Sequence, residues 1–184
     1  MDLSTFVLGG ARSGKSRFAV SDAPPRGRVA FLATAEPGDA DMSTRIARHR
    51  AERPKAWRTF EEPIDLVPRL ESLVGQADAV IVDCLTLWVS NRLLRAHGDD
   101  AILDAAEALA KLITTHPYTL TIVSNEVGQG VHPETADGRR FRDLLGAVNQ
   151  RVAAVSDRVI LMVAGLPLIV KAPMVSHDFG PQNP

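Results

Sequence analysis

Cysteine is almost missing from this sequence: Cys84 is the single one among 184 residues. One thiol allows no intrachain disulfide and no cysteine metal cluster, which points to a reducing, cytoplasmic setting. Lysine is scarce as well, with only Lys15, Lys55, Lys111 and Lys171 set against many arginines. That skew reads in two ways, as guanidinium groups kept for bidentate phosphate contacts or as a coding bias over the whole chain. Net charge is only −1, so neither a nucleic-acid partner nor a membrane-surface footprint is expected. The longest apolar run, Val159 to Val170, is broken by Gly165 and Pro167. It is too short to span a bilayer, and no stable membrane insertion is expected. No signal-peptide pattern precedes the first apolar stretch, and there are no repeats or low-complexity segments.

What the chain does have is Gly9-Gly10-Ala11-Arg12-Ser13-Gly14-Lys15-Ser16, which fits G-x-x-x-x-G-K-S/T at every fixed position. Thr5 to Leu8 before it reads as a short buried strand, and Arg17 to Val20 after it as the first turns of a helix. In that order, the glycines let successive backbone N–H groups converge on a phosphate at a helix N-terminus, where the dipole favours anions. Lys15 would then reach the β- and γ-phosphates, and the Ser16 hydroxyl would ligate Mg²⁺.

A second buried strand is expected over Arg28 to Ala33, ending in Thr34, with Thr34 and Glu36 as site candidates at its C-terminal end. Asp39 or Asp41 is placed to cap a helix over Met42 to Glu52. On that helix His49 sits among Arg45, Arg48, Arg50 and Arg53. Surrounding positive charge disfavours imidazolium, so His49 reads either as an ordinary solvated histidine or as a neutral nucleophile beside anion-binding arginines. Trp57 to Pro63 is expected to be extended and Ile64 to Val74 helical. Ala79 to Asp83 reads as the third strand, four apolar residues closing in an acid. Asp83 is then either a Mg²⁺-organising carboxylate or a helix cap for Leu85 onwards. Cys84 beside it reads as packing.

A helix over Ala101 to Thr115 turns Ile102, Ala105, Ala106, Leu109 and Ile113 inward. Thr119 to Val123 reads as the fourth strand, and Asn125 stands in the polar loop at its end. After Arg139, Arg140 and Arg142 comes a helix with the stripe Phe141, Leu144, Leu145, Val148, Val152 and Val155. Arg158 to Val163 and Leu168 to Lys171 read as a closing hairpin. Strand and helix thus alternate through most of the chain. The expected fold is α/β, of the P-loop NTPase three-layer type, with a mainly parallel sheet and an antiparallel C-terminal edge hairpin. A single nucleotide-binding domain is expected over residues 1–171, with a loose tail at 172–184.

Seven stretches together narrow this further: GGARSGKS at Gly9, ATAE at Ala33, RIARHRAERPKAWRTFEEP at Arg45, VDCLTLWVSN at Val82, SNEVGQGVHPE at Ser124, RRFRDLLGAVNQR at Arg139 and AGLPLIVK at Ala164. In that order they resemble the bifunctional adenosylcobinamide kinase/adenosylcobinamide-phosphate guanylyltransferase family of cobalamin biosynthesis, from about Phe6 to Lys171. The resemblance implies two reactions. A nucleoside triphosphate, ATP or GTP, phosphorylates the aminopropanol hydroxyl of adenosylcobinamide. GTP then guanylylates an enzyme histidine with loss of pyrophosphate, and adenosylcobinamide phosphate takes the GMP to give adenosylcobinamide-GDP. By resemblance the accepting histidine is His49. The phosphate loop is Gly9, Gly10, Ala11, Arg12, Ser13, Gly14, Lys15 and Ser16. Further nucleotide contacts fall on Thr34, Ala35 and Glu36, on Arg50, Ala51, Glu52 and Arg53, and on Glu61 and Asp83. Mg²⁺ would accompany the nucleotide at Ser16 and Asp83. The resemblance also implies a homo-oligomer, a trimer with sites near subunit boundaries. His132 departs from the family pattern, where a small aliphatic residue is commoner. Two rival readings have distinct signatures: a plain phosphate-loop kinase forms no enzyme-bound GMP, and a nucleotide-switched binding module consumes no nucleotide when corrinoid is supplied.

Overall fold

The computed structural model describes residues 3–38, 44, 46–47, 50–51 and 53–172. His49, Glu52, Arg45, Arg48, the expected helix start at Asp39 or Asp41, and the segment 173–184 lie outside them. Seven strands form one sheet: β1 (Ser4–Gly9), β2 (Val29–Ala33), β3 (Arg58–Glu61), β4 (Ala79–Asp83), β5 (Thr119–Val123), β6 (Arg158–Val163) and β7 (Leu166–Lys171). Their order across the sheet is β3-β2-β4-β5-β1-β6-β7. Every pairing is parallel except β6 with β7.

Among the described residues, the uninterrupted helices are α1 (Lys15–Asp22), α2 (Leu66–Ser72), α3 (Leu85–Leu94), α4 (Asp99–Thr115) and α5 (Ala136–Val155), and 44, 46–47 and 50–51 are helical as well. Strand residues alternate between two faces, and each face is covered. Leu32, Val80, Val82, Leu120 and Ile122 pack with Leu70, Trp88, Leu109 and Val148 of the helices on one side. Val7, Phe31, Ile81 and Ile160 pack with Ala19 of α1 on the other. Burial on both faces is why the central strands are apolar without alternation.

Several boundaries differ from the sequence reading, each for a local reason. The segment expected only to be extended around Trp57–Pro63 contains β3, which pairs with β2 at the sheet edge. That makes Ala79–Asp83 the fourth strand rather than the third. Helix α2 is shorter than Ile64–Val74, because Ile64 and Asp65 donate their N–H groups to Glu62 Oε1 in a turn ahead of it. Helix α5 starts earlier than expected: the Thr135 hydroxyl accepts from Gly138 N at 3.1 Å. Arg139, Arg140 and Arg142 therefore lie inside the helix. Strand β7 begins at Leu166 and includes Pro167, tolerated because β7 is an edge. The hairpin turn runs through Ala164 and Gly165, both at positive φ (51° and 85°), the pairing that matches strand twist.

Register fixes what the fold presents. Ala33 pairs with Glu61 on one side and with Asp83 on the other, and Asp83 pairs with Val123. The ends of β3, β2, β4 and β5 thus lie in one row. Val7, two residues before Gly9, pairs with Val123, so the glycine loop leaves the sheet at the same rim.

Candidate functional site

The phosphate loop is shaped by its first glycine. Gly9 has φ 152°, and a Cβ there would stand 2.7 Å from the carbonyl oxygen of Met162 and 2.6 Å from Ser13 Oγ. The serine could turn away, but the Met162 carbonyl belongs to the β6 backbone, so a side chain at position 9 would push the loop off the sheet. From there the chain curls. Ser13 N–H donates to Gly10 O at 3.3 Å, and Ser13 O accepts from Gly165 N at 3.1 Å. Helix α1 opens at Lys15 with Gly14 as its cap, and no side chain occupies the free N–H groups of its first turn. Lys15 is buried, and its ammonium reaches back over the loop to Gly10 O at 2.7 Å.

A cavity of about 770 Å³ opens in front of this loop, within the size range of small-molecule sites. Lys15, Ser16, Asp83, Glu61, Arg50 and Arg53 all line it. Arg53 is held flat, its guanidinium 3.6 Å from the centroid of Phe31 and its Nη1 3.5 Å from Thr59 Oγ1. Burial pulls its pKa down, opposed by the attraction of Asp83. Arg50 lies 3.8 Å from Glu61 in an exposed pair, worth little in stability and easily exchanged for a phosphate. Asn125, also in the lining, is fixed through its backbone: its N–H donates to Thr86 Oγ1 at 2.7 Å, and its carbonyl accepts from Asn149 Nδ2 at 3.1 Å. A glycine loop, a hydroxyl, a carboxylate and two arginines in one lining are groups whose chemistry suits a nucleoside triphosphate with its cation.

A model of the cobinamide kinase / cobinamide phosphate guanyltransferase family matches residues 5–170. The bifunctional adenosylcobalamin biosynthesis protein CobP of Pseudomonas aeruginosa is 46% identical over 167 residues, covering 90% of this chain and 95% of that one. The chain belongs to this family. The proteins named CobU of Salmonella typhimurium and Escherichia coli are 37% and 35% identical, each over 90% of this chain and 98% of theirs. Among solved structures, an ATPase of a bacterial type III secretion system superposes with a TM-score of 0.55 at 12% identity. That match covers 88% of this chain and spans about half, 51%, of the ATPase. At that identity the likeness is one of fold. By the family's own description, its members are transferases.

Set against that family, the expected contacts divide. Arg12, Ser13, Gly14, Lys15, Ser16, Ala35, Arg50, Arg53, Glu61 and Asp83 meet at the cavity. Thr34 does not line it. Fully buried, its hydroxyl accepts from Cys84 N and donates to Cys84 O, both at 2.7 Å, while its carbonyl accepts from Asn91 Nδ2. Thr34 therefore holds the turn that aims Asp83. Glu36 pairs with Arg95 at 2.7 Å, a contact that lowers its carboxyl pKa, and ties the loop after β2 to the end of α3. Gly9, Gly10, Ala11 and Ala51 are also outside the lining, the first two because their role is backbone shape. The sequence reading did not single out Thr59, Thr86 or Arg17, which line the cavity. Thr86, three residues after Asp83 on α3, carries a faint signal in its spacing; Thr59 needed the β2–β3 register.

Ser16 and Asp83 supply a hydroxyl and a carboxylate, the hard oxygen donors that Mg²⁺ takes. Among the described residues no three His, Cys, Asp or Glu side chains are grouped to hold a metal by themselves. The donor set fits an ion shared with phosphate oxygens. Cys84 lines the cavity beside Asp83, yet burial, and then Asp83, push its thiol up to about 11, away from nucleophilic use.

Proposed function

We propose that this chain carries out both reactions for which its family is named. It phosphorylates adenosylcobinamide from ATP or GTP, and then transfers GMP from GTP through His49 to adenosylcobinamide phosphate, giving adenosylcobinamide-GDP. The observation that carries this reading is one cavity joining the phosphate loop, Asp83, and Arg50 and Arg53, which follow His49 closely in the sequence. Gly9, Gly10, Ala11, Arg12, Ser13 and Gly14 wrap the phosphates, and Lys15 draws charge from them as a bond breaks. Ser16 and Asp83 would hold Mg²⁺, which when bound neutralises phosphate charge and orients the leaving oxygen. Arg53, half-buried and stacked on Phe31, presents a positive charge where a guanidinium counts for more than in water. Nucleotide contacts at Ala35, Arg50, Ala51, Glu52, Glu61 and Asp83, with Thr34 and Glu36 shaping the loop beneath, complete the reading. A histidine relay divides guanylyl transfer into two easier steps. Phosphoryl transfer to the alcohol needs none.

A cytoplasmic setting suits the lone buried thiol, and among the described residues no helix is long and apolar enough to cross a membrane. A trimer suits β7, an edge strand exposed along its whole length with Leu166, Leu168, Ile169 and Val170 uncovered. The test of function is direct. Purified protein given adenosylcobinamide, GTP and Mg²⁺ should yield adenosylcobinamide phosphate first and adenosylcobinamide-GDP after it, by chromatography. The Lys15→Ala variant should lose both products by orders of magnitude. Phosphate without the GDP product would leave a plain kinase.

A further inference from the structure

A second cavity, of about 400 Å³, lies on the β6 side of the phosphate loop. Gly10 and Ser13 form its shared wall with the loop, and Glu126 and Gln129 supply its polar groups. Leu161 to Ala164 supply its apolar lining. We propose that this cavity takes the hydroxyl-bearing arm of the acceptor alcohol, with Glu126 as the base that receives its proton. The inference rests on the kinase half of the function above and assigns its acceptor site.

Two observations locate the site. An in-line displacement needs the acceptor oxygen to enter opposite the oxygen that leaves, beyond the γ end of the bound triphosphate. Lys15, the residue that reaches β- and γ-phosphates, lays its ammonium on Gly10 O at 2.7 Å, and Gly10 is where the second cavity meets the loop. Ser16 and Arg17, at the start of α1, line only the first cavity. The acceptor thus approaches past Gly10, from the β6 side.

The second observation is how Glu126 is held. Its N–H donates to Gly9 O at 3.0 Å, and Ser124 N–H donates to Val7 O at 2.9 Å, so this stretch is fastened to β1 and the loop. Its Oε1 accepts from Gly128 N at 2.8 Å, which holds that oxygen against the loop backbone. Among the described residues no cation pairs with it, and Oε2 is left for a substrate hydroxyl. As the alcohol oxygen bonds to the γ-phosphorus, its proton passes to Glu126. The bond from that phosphorus to the bridging oxygen breaks, and the nucleoside diphosphate leaves with the electron pair. The apolar wall and the Gln129 amide suit a large acceptor carrying both hydrocarbon and carboxamide groups.

The test measures cobinamide phosphorylation in wild type, Glu126→Gln and Val163→Trp, with covalent labelling by GTP alone as a second readout. Glutamine still accepts from Gly128 N, so the turn is kept while the base is removed. Cobinamide phosphorylation in Glu126→Gln should fall roughly 100-fold in kcat, with labelling unchanged. Val163→Trp narrows the cavity and should raise the KM for cobinamide while leaving that for nucleotide alone. Wild-type phosphorylation by Glu126→Gln overturns the proposal, and so does an equal loss of labelling and phosphorylation, which marks a loop-shaping role. A wild type that labels but never phosphorylates cobinamide removes the kinase reading and this proposal together; one that phosphorylates but never labels leaves this proposal standing.

Discussion

Asp78, just before β4, receives Arg28 Nη2 at 2.7 Å and the Arg28 backbone N–H, also at 2.7 Å. These hydrogen bonds, the side-chain one first, bring its pKa from 3.8 down to about 2. Because the folded value lies below the unfolded one, the contact stabilises above the ordinary carboxylate range and fades as pH falls from 3.8 toward 2. Asp78→Asn should therefore melt below wild type at neutral pH, by a small margin because the pair is exposed. Melting curves of the two proteins should converge through that acid window; a gap of constant size down to pH 2 would exclude this ionic origin. Residues of this kind were invisible in the sequence, where Arg28 and Asp78 are fifty positions apart. The phosphate loop was legible because its chemistry is local, with the backbone curl from Gly9 to Gly14 leading straight into Lys15 and Ser16. Thr34 was legible as a position at a strand end but not as a function, since its partner Cys84 comes from another strand's end.

Among the elements, β7 carries the clearest consequence. Leu168 to Lys171 reads as one arm of a closing edge hairpin, and all six residues of β7 are exposed. An uncovered apolar edge is a standing invitation to pair, which supports a contact between copies of the chain. The wild type is expected to sediment as a trimer, and Leu168→Lys with Val170→Lys as a single folded chain. If wild type and variant both sediment as trimers, the subunits meet elsewhere. β3 was only half legible because its four residues, exposed at both ends and half-buried in the middle, give too short a pattern and no alternation, and its place in the sheet comes from pairing with β2. Helix α5 was legible from Leu144, Leu145, Val148 and Val152 at helical spacing, whereas the buried Asn149 inside that stripe made sense only once Asn125 stood beside it.

At the scale of the whole molecule, alternation of strand and helix was enough for the fold class and for one shared rim. Which residues stand side by side on that rim was not, because register is a property of pairs of strands. Glu61, Ala33, Asp83 and Val123 form a row across four strands that are scattered over the chain. Three members of that row, Glu61, Ala33 and Asp83, meet the phosphate loop, Arg50 and Arg53 at one cavity. The claim resting on it is that the protein holds GMP covalently on His49 between its two substrates. Incubation of wild type and His49→Asn with GTP labelled at the α-phosphate, followed by denaturation, measures this directly. Wild type should retain label that acid removes and alkali does not, as a phosphoramidate behaves, and His49→Asn should retain none while still phosphorylating cobinamide. Label on His49→Asn, or no label on wild type, would contradict the account.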